Sequence, residues 1–117
     1  MAEFGYRKLT VWKKADELAY QTYLQTKVFP KEEMFGMRSQ IRRAALSVPT
    51  NIVEGYARQG KKELHRFVGI ALGSLAEVKY LIDFSMRLKY LTVANSEKLE
   101  SLAQETGRLL WKFYKSL

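Results

Sequence analysis

Cysteine is absent from this 117-residue chain, and proline and histidine are nearly so, at two and one. Without a thiol there is no disulfide, no thiolate nucleophile and no cysteine-bearing zinc site. The lone His65 leaves nothing from which to build a histidine metal cluster, and no glycine-rich loop offers a cradle for phosphate. No apolar run approaches the roughly 20 residues that cross a bilayer. The opening stretch, MAEFGYRKLTVW, also lacks the apolar segment of a secretory signal. These absences predict no membrane association, a cytoplasmic location, and neither cofactor, metal nor catalytic residue. Alternation of apolar and polar side chains with a period of two is missing too, so strands are not expected.

Positive charge is what the chain has in excess. Twenty Lys and Arg stand against twelve Asp and Glu, giving a formal net charge of +8. Such a surplus concentrates polyanions, RNA or DNA, around a protein; the plainer alternative is that it solubilises exposed faces.

A length of 117 residues suits one domain over 1–117. Helical periodicity divides it into four segments. The first runs from about Thr10, read as its N-cap, to Lys27, with Trp12, Ala15, Ala19, Thr22, Tyr23 and Thr26 on one face. Phe29-Pro30 ends it. A second begins between Lys31 and Met37 and reaches Ala57, a third spans about Lys61 to Lys89, and a fourth starts near Asn95, read as its cap. The fourth carries Leu99, Leu102, Ala103, Thr106, Leu109, Leu110, Phe113 and Leu117 in register. Short connections between long helices predict an all-α, up-down-up-down antiparallel four-helix bundle. The residues from Met1 to about Tyr6 are expected to be loose.

The second segment is apolar on more than one side. Met34, Met37, Ile41, Ala45, Val48, Ile52 and Tyr56 share a sector that suits the bundle core, while Phe35, Leu46 and Val53 fall in another, with Arg42 and Pro49 between them. In the third segment Leu64, Phe67, Val68, Ala71, Leu75, Val78, Ile82 and Met86 form the core face, and Ile70, Leu81, Phe84 and Leu88 form a second line. Second apolar stripes of this kind predict a homo-oligomer whose interface uses Phe35, Arg42, Leu46, Val53, Ile70, Leu81, Phe84 and Leu88. The competing reading is that the first and fourth helices wrap round and cover both stripes. Pro49, inside the second segment, removes a backbone bond and crowds the carbonyl of Ala45. It predicts a kink, or else a break with a new helix starting at Thr50, with Ser47, Thr50 and Asn51 near enough to satisfy the freed groups.

Candidate sites are few. Arg58, Lys61, Lys62, His65 and Arg66 gather where the second segment turns into the third and form the candidate nucleic-acid patch. Arg7, Lys8, Lys13 and Lys14, with Lys112 and Lys115, suggest a second basic end. Nothing resembles a base-reading motif, so binding would tolerate sequence. A polar strip of Arg43, Asn51, Glu54 and Glu77 is read as structural, with Glu54 and Arg58 paired at i,i+4; a metal-binding or acid/base pair of Glu54 with Glu77 is the minor alternative. Gly69 and Gly73 have the spacing of closely packed helices.

The segments Val11-Trp12-Lys13-Lys14-Ala15, Phe29-Pro30-Lys31-Glu32-Glu33, Ser39 to Ala45 running on to Asn51-Ile52-Val53-Glu54-Gly55, and Ala71 to Glu77 together carry a resemblance over nearly the whole chain. It resembles the four-helix-bundle proteins encoded by intervening sequences in bacterial 23S ribosomal RNA genes. It is also similar to the accessory proteins of diversity-generating retroelements, basic pentameric bundles that associate with nucleic acid and a reverse transcriptase. The resemblance implies a bundle and a ring-shaped homo-oligomer, a pentamer by that likeness, and it transfers no catalytic residue. Two functional classes follow: a basic ring that binds RNA or DNA backbone, or a structural adaptor that presents its helices to a protein partner. A nuclease using Glu54 and Glu77 comes last.

Overall fold

In the computed structural model, which describes residues 5–117, four helices account for most of the chain: α1 (Thr10–Gln25), α2 (Met37–Ala57), α3 (Lys61–Arg87) and α4 (Val93–Ser116). Single 3-10 turns at Tyr6–Lys8, Thr26–Val28 and Lys31–Glu33 precede α1 and join it to α2. Residues Met1 to Phe4, where a loose start was expected, lie outside the described residues.

Each helix packs on its sequence neighbour, and α4 closes the arrangement against α1, with the most extensive contact between α2 and α3. The register of the pairs fixes direction. Gly55 lies against Phe67 and Leu64, while Ser47 meets Ser74 at 2.8 Å, so positions descend on α2 as they ascend on α3. Gly69 faces Tyr114 and Gly107 faces Leu75, which gives α3 and α4 the same opposed sense. Arg42 reaches Thr26 and Leu46 shares a groove with Tyr20, and Lys14 meets Glu105, so α1 opposes α2 and α4 as well. The molecule measures 43 × 23 × 21 Å, and its long axis matches the ~40 Å of a 27-residue helix.

The core is where the heptad-like stripes meet. Leu18, Ile41, Val48, Ile52, Val68, Val78, Ile82, Leu99 and Leu110 are wholly buried. Three threonines join them because each hydroxyl donates back along its own helix, Thr22 to the Leu18 carbonyl, Thr26 to Thr22 and Thr106 to Leu102, so none of the three hydroxyls lacks a partner. Met34 and Tyr56, placed on the core face by periodicity, instead lie at 42% and 37% exposure, one before the first residue of α2 and the other in its last turn.

α2 runs through Pro49 without interruption, which rules out a second helix starting at Thr50. Neighbouring side chains bond the backbone there, the Thr50 hydroxyl to the Leu46 carbonyl at 2.7 Å and the Asn51 amide to the Ser47 carbonyl at 2.8 Å, but neither reaches the Ala45 carbonyl that Pro49 deprives of its donor. Two helix ends differ from expectation. Leu9, not Thr10, is the N-cap of α1, and the N-cap of α4 is Thr92, whose hydroxyl accepts from the Asn95 N–H at 3.1 Å. α3 stops at Arg87 because the chain turns left-handed at Lys89 (φ 64°). There the N–H of Lys89 donates to Met86 and that of Tyr90 to Ser85, the double closure that ends a helix most economically with glycine in the left-handed position.

Two glycines are structural. Gly60 joins α2 to α3 at φ 95°, a conformation that side chains resist. A β-carbon at Gly55 would stand 2.8 Å from that of Phe67 and 3.1 Å from Leu64, so α2 and α3 come closest beside that turn. Gly73, by contrast, faces open space, so the Gly69/Gly73 spacing is not a close-packing device.

The second apolar stripes divide under this packing. Phe35 is 91% exposed, and Leu46, Ile70 and Leu88 are exposed as well, while Val53 and Phe84 are half-buried. Leu81, assigned to the outer line, is buried in the monomer's own core, because α2 and α4 flank α3 on two sides and bury a wider arc than one stripe. Arg42 is likewise engaged within the chain: its guanidinium donates to Thr26 Oγ1 at 2.8 Å and to the Tyr23 carbonyl at 2.9 Å, and lies over the Tyr23 ring. A cation there answers the carbonyl end of α1.

Candidate functional site

The opposed helices bring the start of α1, the α2–α3 turn and the end of α4 to one end of the bundle. His65 on α3 stacks on Tyr114 of α4, with ring centroids 4.0 Å apart. Leu9, Thr10 and Val11 share a shallow depression with Leu109, Lys112 and Phe113. The two basic groups of the sequence are therefore not at separate ends. They are one surface, a consequence that an up-down order of helices already carries.

Charge is divided accordingly. Residues 7–14, 54–66 and 105–115 contain eleven Lys and Arg against three Glu, and the rest of the chain contains nine against nine. Most of the net positive charge therefore lies in the segments that meet at this end.

Within the predicted patch the five side chains differ. Lys61 and Lys62 are exposed in the first turn of α3. Arg58, just past α2, is exposed, and its guanidinium lies 5.1 Å from the Phe67 ring centre. It does not pair with Glu54, which makes no ion pair among the described residues. Arg66 lies over the same ring at 4.5 Å and is held by both carboxylate oxygens of Glu63, each at 3.1 Å. Glu63 is drawn below its ordinary carboxyl pKa by that hydrogen bond, and Arg66 is raised above its own. Arg66 thus arrives at the surface part-neutralised and fixed in place, whereas Lys61, Lys62 and Arg58 keep their donors open.

Aromatic side chains are the part that sequence reasoning missed. Trp111 is 53% exposed and stacks beside Tyr114, with centroids 5.7 Å apart and planes 23° apart. The Lys115 ammonium lies 5.7 Å from the indole centre. The signal was present in the sequence as W-x-x-Y-K at helical spacing, but His65, the partner that orients Tyr114, comes from another helix.

The polar strip is built differently from its sequence reading. Its working part is the Ser47, Asn51 and Ser74 network, in which the Asn51 amide also donates to Ser47 Oγ at 2.9 Å. Arg43, Glu54 and Glu77 are exposed. Glu54 lies near the level of Phe67, and the ten residues from there to Glu77 span ~15 Å of helix, which disposes of the pair as a joint acid/base or metal site. Among the described residues no group of carboxylates and histidine is arranged to hold a metal ion, and no helix is long and apolar enough to cross a membrane.

Comparison with known proteins agrees with the fold. Among solved structures, the chain is similar to a protein of unknown function from the S23 ribosomal protein family of Bacteroides thetaiotaomicron, with 26% identity, a TM-score of 0.83, and coverage of 91% of this chain and 99% of that one. No curated protein matches it. The family model described as 23S rRNA-intervening sequence protein matches residues 7–112, and the chain belongs to that family.

Proposed function

We propose that this chain is a non-enzymatic, basic, homo-oligomeric helical bundle that binds the backbone of RNA or DNA with little sequence preference. The observation that carries the reading is the concentration of positive charge at one end, where Arg58, Lys61 and Lys62 are exposed and make no ion pair among the described residues. Phosphates docking there release counterions, and repetition of the patch round a ring multiplies the effect. The exposed Phe35, Leu46, Ile70 and Leu88 supply a surface for self-association, and the pentamer implied by the resemblance is the form we assign to it. The same apolar residues also suit an adaptor that captures a protein partner.

Light scattering on nuclease-treated protein, followed by binding of a labelled structured RNA across a salt series, tests both parts. Affinity that falls linearly in log–log form, with a slope of about 3 or more, supports the phosphate-binding ring. An oligomer without RNA affinity transfers the function to the adaptor, and a monomer removes the ring.

A further inference from the structure

Phosphate contacts leave Trp111 without a role. It is 53% exposed on the last turns of α4, away from the stripe formed by Leu99, Ala103, Thr106 and Leu110, so packing does not account for it. Nor is it a loose side chain. Tyr114 lies beside it at 23° and is itself clamped at 19° to His65, with Gly69 leaving room for the Tyr114 ring edge 3.4 Å from where a β-carbon would stand. Lys115 places a cation by the indole. The result is a pre-oriented aromatic platform set in the most basic surface of the molecule.

We infer that this end takes unpaired nucleotides in preference to duplex, with a base stacked on Trp111 while Arg58, Lys61 and Lys62 follow the adjoining phosphates; this rests on the nucleic-acid reading above. Every base has a π-face, so stacking adds affinity without adding sequence preference. In a duplex those faces are already covered by neighbouring base pairs, and only phosphates remain within reach of the patch. Trp111 therefore separates the two substrates, and the lysines do not.

The test compares the full chain with Trp111→Ala and Trp111→Phe, using labelled oligouridine of about 12 nucleotides and an RNA duplex of equal charge. Circular dichroism checks that the exposed substitutions leave the fold intact. Trp111→Ala is expected to weaken oligouridine binding on the order of 10-fold and duplex binding by less than about 2-fold, with Trp111→Phe retaining most of the affinity. Indole emission should be quenched by oligouridine in a Trp12→Phe background. Equal losses on both ligands, or no loss on either, overturn the stacking role while leaving phosphate binding in place. Failure of the unaltered protein to bind either RNA overturns both readings together.

Discussion

The two ends of this bundle treat their polar groups in opposite ways. At the end formed by the finish of α1, the start of α2 and the α3–α4 turn, charged and polar side chains satisfy one another or the helix termini. Arg42 answers the carbonyls of α1; Glu33 accepts from the Met37 N–H at 3.0 Å and from the Tyr90 hydroxyl at 2.8 Å; Thr92 caps α4. At the other end Lys61 and Lys62 are exposed and Arg58, lying over the Phe67 ring, meets no acid among the described residues, while Arg66 is tied to Glu63 and Lys14 to Glu105. One end uses its polar atoms to join secondary structures, and the other leaves them for something outside the chain. Substitutions should therefore split: those at the first end change stability, those at the second change binding.

The largest effect is expected where the groups are open. Replacing Arg58, Lys61 and Lys62 together by alanine removes three phosphate contacts, which lowers the salt slope by about 2 and weakens single-stranded RNA about 100-fold at about 0.1 M salt. The melting temperature should barely move, because none of the three makes an ion pair in the fold. A large fall in stability with unchanged affinity would invert the comparison.

The open end is open only in its polar atoms, and Gly55 sharpens that point. Its neighbours Phe67 and Leu64 already stand at contact distance from any added carbon, so Gly55→Val should cost about 2 kcal/mol in chemical denaturation through overpacking. Arg42→Ala at the closed end comes next. It leaves the Tyr23 carbonyl and Thr26 hydroxyl without their donor, a loss of about 1 to 2 kcal/mol, and it should leave the RNA salt slope untouched.

How much of this was legible in the sequence follows the range of each interaction. The core faces of α3 and α4 could be read because a helix repeats its burial every turn, and Phe67 to Ile82 and Leu99 to Leu110 obey that period. Leu81 could not, since its burial depends on two neighbours whose distance no single-helix wheel contains. Arg42 was read only as lying between the stripes and as an interface candidate; its bonds to Thr26 and Tyr23 were out of reach of the sequence, because the turn that returns it to the end of α1 is a tertiary fact. The basic patch was found as a local cluster. Its aromatic half was not, since His65 and Tyr114 meet only through the register of α3 against α4.

Lys89 offers a smaller gain in the opposite direction. Its φ of 64° is tolerated for the sake of the two N–H bonds that close α3. Lys89→Gly relieves the left-handed conformation but loosens the unfolded chain, so a net gain of about 1 kcal/mol or less is expected in denaturant titration. RNA affinity should stay constant, as the residue lies at the closed end.

The smallest effect belongs to the half-buried pair Glu33 and Tyr90, and pH separates it from the rest. The Met37 N–H, and then the Tyr90 hydroxyl, hold the Glu33 carboxyl below its ordinary 4.5. Folding therefore favours the ionised form: the contribution is complete above about 4.5 and is lost as pH falls through the lowered native value. Tyr90 is raised above 10.0, chiefly because its hydroxyl donates to Glu33, so its contribution is complete below that pH and is lost as pH rises through the higher native value. Glu33→Gln removes the carboxylate from both equilibria. Stability measured by denaturant at acid and alkaline pH should then lose part of its decline at each extreme, while Arg66→Gln at the other end should alter only the acid arm, through Glu63. An alkaline arm unchanged by Glu33→Gln would mean that the Tyr90 bond is not made in solution, and the clasp between the start of α2 and the α3–α4 turn would lose its polar half.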